Sequence, residues 1–175
     1  MKRSNLVLKA GVAALLASVY STGASADVIN GNATANVIAP LLLVETTAMN
    51  FGDVAGGTST GTVVLDLTGA RTATGDASAL ASGVGAAGEF TIEGATALAF
   101  TLSVTGTATL TDGGANSMTV DTFTENGSAV SLSGSGTPDG FQIGGTLNIG
   151  ASQAAGAYST LNAGGAPFAV TANYN

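Results

Sequence analysis

The chain has 175 residues, of which 45% are hydrophobic and only 9% are charged. It contains 26 glycines but no cysteine, histidine or tryptophan. This length suits one domain rather than two, and the glycine content argues against a helical bundle. The usual metal ligands, thiol nucleophiles and proton shuttles are missing from this composition. We therefore expect no enzyme activity, no metal site and no cofactor.

Residues 1–26 have the three parts of a secretory signal peptide. The first nine positions carry three of the four basic residues, an apolar run follows at 10–20, and Ala-Ser-Ala at 24–26 is a small-residue cleavage site. The apolar run is much shorter than the roughly 20 residues of a membrane-spanning helix. We predict cleavage before Asp27, no membrane span, and export through the periplasm to the cell surface or the extracellular medium.

Residues 27–175 form the predicted exported domain. Arg71 is its single basic residue against eleven acidic ones, so its net charge is −10. A chain with this charge cannot neutralise a phosphate backbone or an anionic lipid surface. We expect no nucleic-acid partner.

Apolar residues alternate with threonine, serine and other small residues along most of this domain, which is typical of half-buried strands. Turn signals rich in glycine, asparagine and aspartate separate the alternating segments at short intervals. The pattern predicts an all-β protein built as an antiparallel sandwich or barrel. The predicted strands lie at residues 63–67, 90–92, 98–105, 118–120, 141–143, 147–149 and 168–174.

The same alternation predicts the core and some of the loops. The pair Asn126 and Gly127 lies between threonine-rich strands and predicts a two-residue hairpin with a type I′ turn. Residues 76–87 are predicted to be a loop on the sheet, because no apolar stripe recurs there at helical spacing. The predicted core residues are Phe90, Phe100, Leu102, Ile143 and Phe168.

Three patterns invite a functional interpretation. Residues 83–88 match GxGxxG, but they enter a predicted strand rather than a helix, so we predict no nucleotide site. Glu89 and Glu93 lie about 13 Å apart on an extended strand, wider than the roughly 5–9.5 Å of a glycosidase pair. We interpret them as solvated carboxylates. A calcium site built across loops stays open for Asp112, Asp121 and Asp139.

The sequences at both ends of the predicted domain are typical of strands that pair with the edge of a sheet. Residues 27–39 are extended and uncharged after Asp27, and Pro40 keeps the preceding residue extended. The C-terminal stretch at 168–174 alternates cleanly. The residues predicted to take part in assembly are Ala33, Ala35, Val37, Ala39, Phe168, Val170 and Tyr174.

Five blocks of the sequence resemble the bacterial exported family known as domain of unknown function 4402 (DUF4402), and they follow its order. The blocks are residues 33–41, 49–52, 118–123, 143–150 and 169–174. The family is similar, more distantly, to spore coat protein U-type pilins of the chaperone–usher pathway. This resemblance implies an immunoglobulin-like antiparallel β-sandwich that self-assembles by β-strand addition, with 27–39 as the donor strand. It also implies a periplasmic chaperone and an outer-membrane usher as partners, and no catalytic residues.

Two functions stay open at this point. The first is a structural subunit of an extracellular, pilus-like fibre or of a surface layer. The alternative is a monomeric secreted adhesion or binding module, in which residues 27–44 pair with the sheet of their own chain.

Overall fold

The computed structural model describes residues 27–175, and the predicted signal peptide lies outside the described residues. The chain divides into two units, residues 1–36 and residues 37–175. In the first unit, residues 27–36 lie outside any strand and are all exposed. Every strand of the described chain belongs to the second unit, which we call the sheet unit.

The sheet unit is all-β, and each strand pair within it is antiparallel. One short 3₁₀ turn, Gly127–Ala129, interrupts the strands. Within residues 27–175 we find no helix with the length and apolar character needed to cross a membrane. The strands are β1 (Leu42–Thr47), β2 (Val54–Ala55), β3 (Gly61–Leu65), β4 (Arg71–Gly75), β5 (Ser78–Ala79), β6 (Gly88–Glu93), β7 (Phe100–Thr105), β8 (Ala108–Thr111), β9 (Ser117–Glu125), β10 (Asp139–Ile149) and β11 (Ala169–Tyr174).

Strand β10 is the centre of the main sheet. Its first half pairs with β6, its second half pairs with β3, and β9 pairs with it from Ile143 to Asn148. The strand order is β1-β6-β10-β3-β4, with β9 also on β10 and β8 on β9. Two smaller sheets accompany it: β11 pairs with β7 and β2 pairs with β5.

The core consists of two clusters of buried side chains. The first contains Val63, Leu65 and Leu147, and the second contains Ile92, Phe141 and Ile143. Phe123 and Phe168 pack against both clusters, and their ring centroids lie 4.6 Å apart. These two rings therefore join the clusters.

The structure confirms the all-β class and six of the eleven strands, but β5 lies within the predicted loop at 76–87. All five predicted core residues belong to the second cluster, where Phe90, Leu102 and Ile143 are buried while Phe100 and Phe168 are half-buried at its margin. The predicted strands at 141–143 and 147–149 are the two ends of the single strand β10. Alternation reflects which side chains face the core, so it is visible in the sequence itself.

The predicted two-residue hairpin at Asn126 and Gly127 is wrong. Strands β9 and β10 are paired, but residues 126–138 connect them, and neither residue of the pair has a positive φ. The Asn126 side chain instead bonds to Gln142, donating to its Oε1 at 2.7 Å and accepting from its backbone N–H at 2.7 Å. Gly127 serves close packing, since a Cβ there would lie 2.7 Å from carbons of Leu102 and Phe141.

Candidate functional site

A groove of about 1180 Å³ opens in the sheet unit, with β1 and β11 both contributing to its lining. Leu43 and Glu45 come from β1, Val170 comes from β11, and Phe168 immediately precedes β11. The rest of the lining includes core side chains of both clusters, among them Phe51, Phe90, Met118, Val120, Leu147 and Ile149. The groove therefore reaches the core of the sheet unit, and the core side chains that line it are buried.

The two strands that line the groove each pair with a single neighbour in the described chain. β1 pairs with β6 alone and β11 pairs with β7 alone, so the other edge of each strand carries unpaired backbone groups. Such an edge is a template for the addition of another strand. The groove thus combines an apolar lining with two sheet edges that can accept backbone hydrogen bonds.

The edge of strand β8 is covered by backbone hydrogen bonds from another part of the chain. On the side of β8 away from β9, Thr109 exchanges two backbone hydrogen bonds with Ala166, at 2.7 and 2.9 Å. Thr111 exchanges two more with Ser159, at 3.1 and 2.9 Å. The connection between β10 and β11 therefore covers the edge of β8, whereas the edges of β1 and β11 stay open at the groove.

The last strand also meets the start of the sheet unit. The Tyr174 hydroxyl donates to the carbonyl oxygen of Ala39 at 2.9 Å and accepts from the backbone N–H of Ala95 at 2.6 Å. Val37 is 91% exposed, whereas Leu43 packs against the second core cluster. The Tyr174 hydroxyl therefore holds the chain at Ala39, between the exposed Val37 and the packed Leu43.

The predicted assembly residues fall into two groups. Ala33, Ala35 and Val37 are fully exposed and Ala39 is half-buried. Phe168, Val170 and Tyr174 are all half-buried and pack against the second core cluster. Phe168 and Val170 line the groove, while Tyr174, at the other end of β11, is bound to Ala39.

Sequence reasoning missed the other contributors to the groove. Leu43 and Glu45 of β1 line it, and so do residues 153–161 in the connection after β10. The run of four apolar residues at 41–44 was a usable signal for a strand at β1, although only Leu43 of that strand is half-buried. Residues 153–161 have no period of two and carry no comparable signal.

Arg71, noted in the sequence only as a lone base, holds one wall of the groove in place. Its Nη1 donates to the carbonyl oxygens of Phe51 and Asp53, both at 2.9 Å. Its Nη2 donates to the carbonyl oxygens of Leu80, at 2.7 Å, and Gly83. Since residues 51–53 line the groove, the guanidinium links that wall to residues 80–83.

The acidic residues stabilise turns. Hydrogen bonds from the Thr68 side chain, and to a lesser extent from its backbone N–H, lower the pKa of Asp66. Hydrogen bonds from the Asn116 side chain, and to a lesser extent from the Gly114 N–H, lower the pKa of Asp112. The Ser133 hydroxyl and then its N–H lower the pKa of Asp139. Over residues 27–175 no three acidic, histidine or cysteine side chains gather in a way that could hold a metal ion.

The fold and the groove define an all-β protein of antiparallel sheets in which β1 and β11, two of the strands with an unpaired edge, line the groove. A family model described as domain of unknown function (DUF4402) matches residues 42–174. The chain belongs to the DUF4402 family, as its sequence blocks predicted. The match begins at the first residue of β1 and ends at the last residue of β11, so it spans all eleven strands and leaves out residues 27–41. No curated protein and no solved structure matches the chain.

Proposed function

We propose that this protein is a structural subunit of an extracellular fibre or surface layer, in which residues 27–39 of one copy add as a strand to the groove of the next. The observation that carries the proposal is the groove, which reaches buried core side chains and is lined by β1 and β11, two strands with an unpaired edge. In this proposal the sheet unit is an immunoglobulin-like sandwich that lacks one strand. Its role is structural and not catalytic.

The groove suits an extended peptide better than a compact ligand. Each backbone hydrogen bond that an added strand makes to β1 or β11 contributes about 0.5–1.5 kcal/mol net. Side chains that alternate toward the core lining add apolar burial to this. The chain covers the edge of β8 with its own backbone, whereas β1 and β11, like β4 and β7, keep an edge that can pair with an added strand.

The N-terminal segment has the composition of such a strand. If residues 27–39 are extended, one face carries Ile29, Gly31, Ala33, Ala35, Val37 and Ala39, and the other carries mostly asparagine and threonine. Ile29 is 92% exposed and Val37 is 91% exposed, so burial of each would contribute about 1.5–3 kcal/mol. No charged residue lies between Asp27 and Glu45, so beyond its first residue the strand brings no charge into the groove.

Export and helper proteins complete the proposal. The signal peptide at 1–26 directs the chain out of the cytoplasm, and a periplasmic chaperone occupies the groove until an outer-membrane usher passes the subunit to the fibre. The exported protein is then expected to begin at Asp27. Intact-mass measurement of the protein recovered from the cell surface tests this, and a main species that still begins at Met1 contradicts it.

The central experiment compares the chain 27–175 with a variant that lacks residues 27–39. The full chain is expected to form fibres visible by electron microscopy, whereas the truncated chain is not. A synthetic peptide of residues 27–39 is expected to bind the truncated chain and to raise its melting temperature, because the groove is filled. If the full chain is a stable monomer at high concentration, and truncation unfolds it without rescue by the peptide, the segment pairs within its own chain. That result supports the monomeric adhesion module and contradicts the fibre.

A matched pair of substitutions tests which face of the segment enters the groove. Val37→Asp places a charge on the apolar face and Asn36→Asp places the same charge on the polar face one residue away. Val37→Asp is expected to abolish assembly because it buries an unpaired charge, while Asn36→Asp leaves assembly intact. Equal effects of the two variants contradict insertion of this face.

A further inference from the structure

We propose that the Tyr174 hydroxyl is a positioning group that fixes the point where the N-terminal segment leaves the sheet unit, and that it thereby sets the angle between consecutive subunits. The inference rests on the proposed function, because it concerns the root of the proposed donor strand. It concerns the geometry of assembly rather than the ability to assemble.

The hydroxyl lies between two parts of the sheet unit, residues 39–41 and residues 94–95. It donates to Ala39 at 2.9 Å and accepts from Ala95 at 2.6 Å, so both its hydrogen-bonding roles are used. A Cβ on Gly94 would overlap the Tyr174 oxygen and would also lie 2.8 Å from Cδ2 of Leu41. The glycine therefore makes room for the hydroxyl and for the first packed residue after Pro40 at the same time.

The ring that carries this hydroxyl is itself held. Tyr174 is half-buried and packs against the second core cluster. All six residues of β11 are paired in register with β7, from Ala169 opposite Thr105 to Tyr174 opposite Phe100. The hydroxyl is thus attached to a rigid part of the sheet unit, and its bond to Ala39 transmits that rigidity to the chain just before Pro40.

Strand β11 connects this anchor to the groove. Phe168 and Val170 line the groove at one end, and Tyr174 binds Ala39 at the other, about 20 Å along the strand at roughly 3.3 Å per residue. The groove lining and the root of the segment are therefore both in contact with β11, at residues 168–170 and at Tyr174. In the proposed fibre the contact is head-to-tail, which gives an open fibre where the rotation does not close into a ring, and a fixed root gives each step the same rotation.

The test is Tyr174→Phe, which removes one oxygen atom and keeps the ring. Thr171→Val is the matched control because it also removes a hydroxyl from β11. The Thr171 hydroxyl donates to the carbonyl oxygen of Ser103 at 3.4 Å, and Thr171 does not line the groove. In Tyr174→Phe, the Ala95 amide is expected to exchange its hydrogen about two- to tenfold faster, which corresponds to the loss of one hydrogen bond. Electron micrographs are expected to show fibres with a broader distribution of angles between subunits. The control is expected to change neither quantity.

The same samples separate this inference from the proposed function. Binding of the 27–39 peptide to the truncated chain reports on the groove, and Tyr174→Phe is expected to leave that affinity unchanged. If wild-type chains form no fibres, the proposed function fails and this inference fails with it. If wild-type fibres form and Tyr174→Phe fibres have the same angles despite faster exchange at Ala95, the hydroxyl stabilises the fold locally and the inference alone is wrong.

Discussion

Arg71 donates from Nη1 to the carbonyl oxygen of Phe51 at 2.9 Å, so the single basic residue of the described chain is bound to backbone beside the groove. All four of its hydrogen bonds end on carbonyl oxygens, from residues 51, 53, 80 and 83. One side chain thereby adds four hydrogen bonds to the single backbone bond, from the Leu80 N–H to the Asp53 carbonyl oxygen, that joins these two loops. The planar guanidinium suits this role because its donors point in fixed, divergent directions.

The first prediction concerns this arrangement. Arg71→Lys keeps the charge but replaces the fork of donors by one ammonium, which cannot reach all four carbonyl oxygens. We expect a loss of about 1–3 kcal/mol in the free energy of unfolding, measured by urea denaturation, because partly buried carbonyls lose their partners. The loss is expected to be the same in 0.1 M and 1 M salt. Between these concentrations the Debye length falls from about 10 Å to about 3 Å, so a loss caused by charge–charge interactions would shrink. A loss that disappears at high salt contradicts an origin in hydrogen bonding.

The second prediction concerns the wrongly predicted hairpin. Gly127→Ala places a methyl group 2.7 Å from carbons of Leu102 and Phe141, and we expect overpacking to cost about 1–3 kcal/mol. Gly140→Ala, in β10, is the control because a Cβ there meets nothing within 4 Å. Thermal unfolding of both variants measures the difference. A Gly127→Ala variant as stable as the control means that this loop moves aside at little cost.

The third prediction separates the centre of the core from its margin. Phe141 has 0% of its surface exposed, and Phe141→Ala is expected to cost about 3–5 kcal/mol. Phe100 is half-buried, so Phe100→Ala is expected to cost about 1–2 kcal/mol, because part of the ring is already in water. Denaturant titration of the two variants provides the comparison. Equal losses contradict the placement of Phe100 at the margin of the second cluster.

The fourth prediction concerns acid. Hydrogen bonds lower the pKa of Asp66, Asp112 and Asp139 in the folded protein below the ordinary value of 3.8. Their contribution to stability is therefore fully present above the unfolded-state pKa and is lost as the pH falls through the lower, folded-state pKa. We expect the melting temperature to drop below about pH 4. A variant with all three residues changed to Asn is expected to be less stable at pH 7 and to show a flatter dependence below pH 4. If the melting temperature of that variant falls equally steeply below pH 4, the prediction is wrong and other carboxylates cause the acid sensitivity.

Local alternation is enough to predict the fold class and much of the core. Along Gly88–Glu93, buried residues alternate with more exposed ones, and this period reflects the backbone of a single strand. The prediction failed at Asn126 and Gly127, where the turn chemistry of the pair was overridden by contacts with Gln142 and Phe141. Those contacts involve β10 residues at least fourteen positions away, which no short window of sequence contains.

Some features of the candidate site are predictable from local sequence, and others depend on the tertiary structure. Composition and period, which are local properties, establish that residues 27–39 form an alternating segment with no charge after Asp27 and that the C-terminal stretch is a strand. The tertiary structure was needed to show that the edge of β8 is covered while those of β1 and β11 stay open at one groove. It alone brings Tyr174 to Ala39 across 135 positions of the chain. Edge pairing and such long-range bonds depend on which strands become neighbours, and that follows from the packing of both core clusters together.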